Sequence, residues 1–167
     1  MPLDVDAIDS GAPVSLEQPG GQVTIVEGSS FCLSGRAGDI RTGGSDGLFV
    51  LDVRVLSRWE LRLDGHALEP LSVSVSEPFG ATFVARGRPG NKGESTSLVV
   101  RRRWVGSGMR TDLELHNYSS HEVTHQVELN IASDFADLFA VKAGRPIADP
   151  ELDPSSHPLH ARSARDS

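Results

Sequence analysis

The chain has one cysteine, Cys32, in 167 residues. A disulfide needs two, so no internal cross-link frames the fold, and the class of small disulfide-stapled domains is excluded. Aromatic residues are scarce as well, at 5%. A face that stacks on sugar rings needs exposed aromatics, and only Trp59, Trp104, Tyr118 and six phenylalanines are available to build one. Positive charge is in deficit: 16 Lys and Arg stand against 23 Asp and Glu, giving a net charge of −7 and a pI near 5.3. Nucleic acids and anionic membranes call for a broad basic surface, so neither is expected as a partner. No apolar run approaches the length of a membrane span. The first twenty residues contain Asp4, Asp6, Asp9 and Glu17 and no apolar stretch, the opposite of a secretory leader. A cytoplasmic protein is therefore expected.

What the chain does have is period-two patterning. From Gly47 to Gly65 apolar and polar residues alternate tightly. Val55, Trp59, Leu61 and Leu63 share one parity, and Arg58, Glu60, Arg62 and Asp64 the other. Successive strand side chains point to opposite faces, so this is a half-buried strand. Asp64-Gly65 then supplies the positive-φ turn of a two-residue hairpin. Leu71, Val73 and Val75 read as the inward row of the next strand. Other strands follow the same logic: Val23 and Ile25; Phe31 and Leu33; Gly80 to Arg86; Leu98, Val100 and Trp104; Met109 to Leu115; and Val123, Val127, Leu129 and Ile131. This parity puts both tryptophans inward.

Only Asp134 to Phe139 suggests helix, with Phe135, Leu138 and Phe139 at helical spacing and Asp134 and Asp137 as N-cap and N3. Short strands separated by turn signals predict an all-β fold, an antiparallel β-sandwich of about eight to ten strands with one short helical turn near residues 134–139. Three parts are expected: a flexible lead over 1–20, the sandwich over 21–145, and a disordered or aberrant tail over 146–167. The tail has four prolines and no apolar periodicity.

Two blocks carry a family resemblance. The first comprises Gly38-Asp39-Ile40, Gly47-Leu48-Phe49, Asp52-Val53-Arg54 and Leu56-Ser57; the second is Asn130-Ile-Ala-Ser-Asp-Phe-Ala-Asp-Leu-Phe-Ala-Val141. In this order they resemble the N-terminal domain of bacterial and archaeal glycogen debranching enzymes of the amylo-α-1,6-glucosidase type, over roughly residues 22–145. The resemblance implies a β-sandwich that packs in cis on a helical catalytic domain beside the α-glucan cleft. In that family the catalytic carboxylates belong to the helical domain, so this chain by itself is expected to be a non-catalytic accessory domain. It departs from the family pattern near Gly144-Arg145, which suggests a truncated or frame-shifted reading. The alternative is a free-standing carbohydrate-binding or protein-interaction sandwich.

Most of the individual polar residues have plain structural roles open to them. No catalytic residue, metal ligand or cofactor site is assigned. Arg101-Arg-Arg103 lies on a strand and splits between two faces, which favours ion pairs over phosphate binding. Gly87 to Gly93 has a phosphate-loop composition but precedes a strand, whereas a phosphate cradle opens a helix. His116, His121 and His125 lack the further ligands that zinc requires. Cys32 reads as buried filler. Asp134 and Asp137 sit on one side of one turn, whereas glycoside hydrolysis needs carboxyls across the scissile bond. The candidates for a substrate-cleft or interdomain contact are Asp39, Asp52, Arg54, Asp134, Asp137 and Phe139.

Overall fold

The computed structural model describes residues 21–87 and 97–144. The lead over 1–20, the tail over 146–167 and most of the Gly87–Gly93 loop lie outside the described residues.

Asp64 and Gly65 take φ values of 52° and 75°, as the Asp-Gly hairpin predicts. The turn joins β5 (Arg58–Leu63) to β6 (His66–Ala67), and β11 (Val127–Ala132) pairs on the other side of β5. A second sheet runs β1 (Val23–Glu27), β2 (Ser30–Ser34), β3 (Gly47–Val50), β4 (Val53–Leu56) and β12 (Ala136–Asp137). A third has the order β10 (Met109–Asn117), β9 (Ser97–Val105), β8 (Gly80–Arg86) and β7 (Glu69–Glu77). All pairings are antiparallel. One short helix, α1 (Leu138–Lys142), follows β12. The all-β, sandwich-like fold predicted from the alternation is therefore observed; among the described residues it has twelve strands, two of them only two residues long.

The main core draws on all three sheets: Val23, Ile25, Cys32 and Leu48, then Trp59, Leu61 and Leu63, then Phe83, Ala85, Val99 and Val105. A smaller core forms on the outer face of the β1–β4 sheet. There Phe31 stacks on Phe49 at 4.7 Å, and Leu138 and Val141 of α1 close over them. Strand β2 serves both cores, with Cys32 in the main one and Phe31 and Leu33 packed on the smaller one.

The sequence reading needs four corrections. On β9 the buried row is Ser97, Val99, Arg101, Arg103 and Val105, so Leu98, Val100 and Trp104 lie on the other face. That strand carries aliphatic residues at both parities, and buried partners for the arginines decide the matter. Leu71 is 46% exposed because β7 shifts register between Pro70 and Ser72. The helix begins three residues later than expected. Phe135 has φ 48° and Ala136–Asp137 pair with β4, so helix starts only at Leu138, with Asp137 as its N-cap. Finally, β11 starts at Val127, and its apolar row is exposed rather than covered.

Candidate functional site

The two sequence blocks meet in space at one corner of the molecule. Arg54, on β4, is 5% exposed. Its Nε donates to Asp134 Oδ1 at 3.0 Å and its Nη2 to Asp134 Oδ2, a bidentate pair spanning eighty positions. Its Nη1 donates to the carbonyls of Gly44 at 3.0 Å and Asp46 at 3.3 Å, which pins the Gly-rich loop. The guanidinium stem runs past Gly47, where a Cβ would stand 2.6 Å from Arg54 Cδ. Glycine at position 47 is thus required by close approach, not by flexibility.

The same corner anchors α1. The Asp52 carbonyl accepts from Leu138 N–H at 2.8 Å. The Asp137 carboxylate accepts from the N–H groups of Phe139 at 2.8 Å and Ala140 at 3.4 Å. Asp134 and Asp137 are both engaged, one in an ion pair and one in a cap.

Around these anchors three apolar side chains stand in solvent: Leu51 at 72%, Phe135 at 69% and Phe139 at 70% exposure. Leu51, Asp52 and Phe135 all have positive φ, at 49°, 65° and 48°. Non-glycine residues rarely adopt this conformation, and such strain persists only where the surroundings enforce it. Here the ion pair, the β4–β12 pairing and the helix cap hold the backbone, and Leu51, Phe135 and Phe139 are left in solvent on the segments that these contacts join.

Asp39 lies elsewhere. It is 4% exposed, accepts from Arg101 Nη1 at 2.7 Å and from Leu61 N–H at 3.2 Å, and so belongs to the interior. Arg101 and Arg103 place their guanidiniums 5.2 and 4.8 Å from the centre of the Trp59 ring. Burial lowers the Arg101 pKa, an effect that Asp39 opposes. Of the six candidate residues, the structure gathers Asp52, Arg54, Asp134, Asp137 and Phe139 at one corner and places Asp39 in the core.

A family model for the N-terminal domain of (some) glycogen debranching enzymes matches residues 25–164. The chain belongs to this family. No curated protein matches it. The match spans every strand of this debranching-enzyme N-terminal domain except the first two residues of β1, together with α1, and it includes both blocks that the Arg54–Asp134 pair joins; it continues to residue 164, so the departure from the family expected near Gly144-Arg145 is not found.

The remaining candidates of this debranching-enzyme domain do not converge. His116 lies by Glu114, His121 by Ser119 and Ser120, and His125 between two other groups. Among the described residues no group of three or more His, Cys, Asp or Glu is placed to hold a metal ion. Cys32 is fully buried, and burial raises its pKa, which disfavours the reactive thiolate. No described helix is long and apolar enough to cross a membrane.

Sequence reasoning missed two arrangements. One is the layer in which two buried arginines lie over Trp59. The other is a hydrogen-bond chain in which His125 Nδ1 lies 2.6 Å from Asp64 Oδ2 and its Nε2 lies 2.6 Å from Ser97 Oγ. The order is that of a Ser–His–Asp triad, but Ser97 is 3% exposed, and Asp64 also accepts from Gln126 N–H at 2.8 Å. The chain therefore ties the β5–β6 turn to β9, with the Ser97 hydroxyl buried among the described residues. No signal in the sequence pairs residues so far apart; only the Asp-Gly turn hinted that Asp64 would project from the sheet.

Proposed function

We propose that this domain is a non-catalytic accessory domain of a glycogen or α-glucan debranching glycoside hydrolase. It packs on a helical catalytic domain through the Leu51–Phe135–Phe139 cluster and helps to shape the α-glucan cleft from outside. The observation that supports this reading is that set of three apolar side chains, each about 70% exposed: Leu51 and Phe135 on strained backbone beside a buried ion pair, and Phe139 in the first turn of α1. Scattered single apolar residues are ordinary on a surface, but a grouped set on enforced backbone marks a docking face. Asp52 and Asp137 rim it and are available for polar contacts across the interface. Hydrolysis requires one carboxyl to protonate the leaving oxygen and another to attack or activate water. Asp134 is committed to Arg54 and Asp137 to the helix cap, so the parent reaction, cleavage of α-1,6 branch linkages, falls to the partner domain.

The test has two parts. The purified chain should release no glucose from limit dextrin or isomaltose; release abolished by Asp137→Asn would overturn the non-catalytic assignment. Light scattering and hydrophobic-dye binding should show self-association that Phe139→Ser reduces without loss of the β-sheet circular dichroism signal. A monodisperse, dye-silent chain would instead favour the free-standing binding module.

A further inference from the structure

The sandwich is open on one side. Strands β10 and β11 each end a sheet, and their inner-face residues continue rows that are buried on the neighbouring strand. Leu113 and Leu115 stand beside Arg101 and Val99; Val127, Leu129 and Ile131 stand beside Leu63, Leu61 and Trp59. The inner neighbours are all less than a tenth exposed, whereas the five edge residues range from 43% to 55%. On β11 the polar residues of the opposite face, Glu128 and Asn130, are less exposed than the apolar ones. An apolar row that faces the core yet lies bare is a face made to be covered.

The layer just behind this opening is short of negative charge. Arg101 and Arg103 are both fully buried, and the one carboxylate that bonds either of them, Asp39, bonds Arg101. Arg103 also donates to Thr111 Oγ1 at 3.2 Å and lies 3.8 Å from Cys32 Sγ. Even so, Arg101 Nε and Nη2 and Arg103 Nη2 have no hydrogen-bond partner. Buried donors are normally satisfied, and a buried cation normally has a counter-charge.

We infer that the open side receives an extended polypeptide strand that adds to the edge of β11, with alternating apolar residues facing inward and a carboxylate among them directed at the Arg101–Arg103 layer. Strand β11 is the less guarded edge: β10 carries the Arg110–Asp112 pair and Glu114, which pairs with Arg102 of β9, and charged edges discourage strand addition. A second copy of the chain does not supply the missing charge. The inward rows of β10 and β11 contain no acidic residue, so edge-to-edge pairing of copies brings none in. Residues 146–167 do not fit either, with prolines at 146, 150, 154 and 158 and no alternation. The inference rests on the accessory-domain reading only in treating this domain as one that other polypeptide covers; the face is separate from the Phe139 corner.

A phage-displayed library of random nonapeptides, selected against the 167-residue chain, tests it. Enriched peptides should alternate apolar residues and hold Asp or Glu at an inward position. Exchanging that acid for its amide should weaken binding about tenfold, the loss of one charge-assisted contact. Bound peptide should slow hydrogen exchange along β11. Ile131→Lys should abolish binding with the melting temperature retained, whereas Phe139→Ser should leave it intact, so failure here is distinct from failure of the docking corner. Failure to enrich any peptide, indifference to the acid, protection at Leu51 and Phe139 instead of β11, or a dimer that Ile131→Lys dissociates would each overturn the inference.

Discussion

Two buried arginines solve the same problem in different ways. Arg54 makes four hydrogen bonds, two to one carboxylate and two to loop carbonyls, and in doing so fastens β4, the Gly-rich loop and the segment leading into α1. Arg101 makes one, to Asp39, and otherwise lies over an indole ring beside a second buried arginine. The first corner is electrostatically complete and displays apolar groups outward. The second layer is incomplete and lies behind an uncovered apolar edge. Desolvation of a cation is offset fully in one place and partly in the other, and the difference separates a finished region from one that awaits a partner.

Removing Arg54 should have the largest effect. Arg54→Met leaves Asp134 largely buried without a counter-charge and should cost about 3 kcal/mol or more in urea denaturation. Adding Asp134→Asn should recover at least about 1 kcal/mol, since the two act as one unit. Simple additivity of the two costs would show that the pair is not coupled. Next is Gly47→Ala. Its Cβ meets a side chain held by four hydrogen bonds that cannot swing aside, so a loss of about 1–3 kcal/mol is expected. A neutral result would mean that Arg54 is looser than its bonds imply.

The double substitution Arg101→Met with Asp39→Asn sharpens the comparison from the other side. Where an ion pair is poorly compensated, an apolar replacement is often neutral, so the double variant should lie within about 1 kcal/mol of the parent. A loss as large as that of Arg54→Met would make the two arginines equivalent. Asp64→Asn should have the smallest effect, under about 1 kcal/mol near neutrality, because Asp64 is half exposed and its contacts are screened. Its pKa is lowered from 3.8, first by the Gln126 N–H and then by His125. The unfolded chain therefore takes up this proton first; the contribution of Asp64 is complete above about pH 4 and is lost as pH falls through the native-state value. The Asn variant should show a shallower fall in stability on acidification.

Legibility followed range. The alternation through Trp59, Leu61 and Leu63 and the turn at Asp64-Gly65 are local, and the structure repeats them: all three side chains are buried and both turn residues have positive φ. Strand β9 defeated the same rule because Leu98, Val100 and Trp104 at one parity compete with Val99 and Val105 at the other. Choosing the arginine-bearing face requires knowing that Trp59 and Asp39 wait opposite. The helical turn was found but misplaced, since pairing with β4 holds Ala136–Asp137 extended where spacing alone favours helix. Of the candidate residues, five converge, but the partnership of Arg54 with Asp134 was not foreseen, because Arg54 shares parity with the solvent-facing Arg58 and Glu60.

The sequence by itself determined the strand-rich class, the hairpin turns, the acidic character of the surface and the family, through two blocks of fairly specific pattern. These follow from period-two geometry and backbone preference, which act over a few residues and need no distant partner. The tertiary structure alone decided which face of each strand is buried, which charges are buried with partners, and which edge stays bare. Both faces of a strand are equivalent until another layer covers one, and a charge is tolerated inside only when a counter-charge arrives from elsewhere in the chain, as Asp134 does for Arg54.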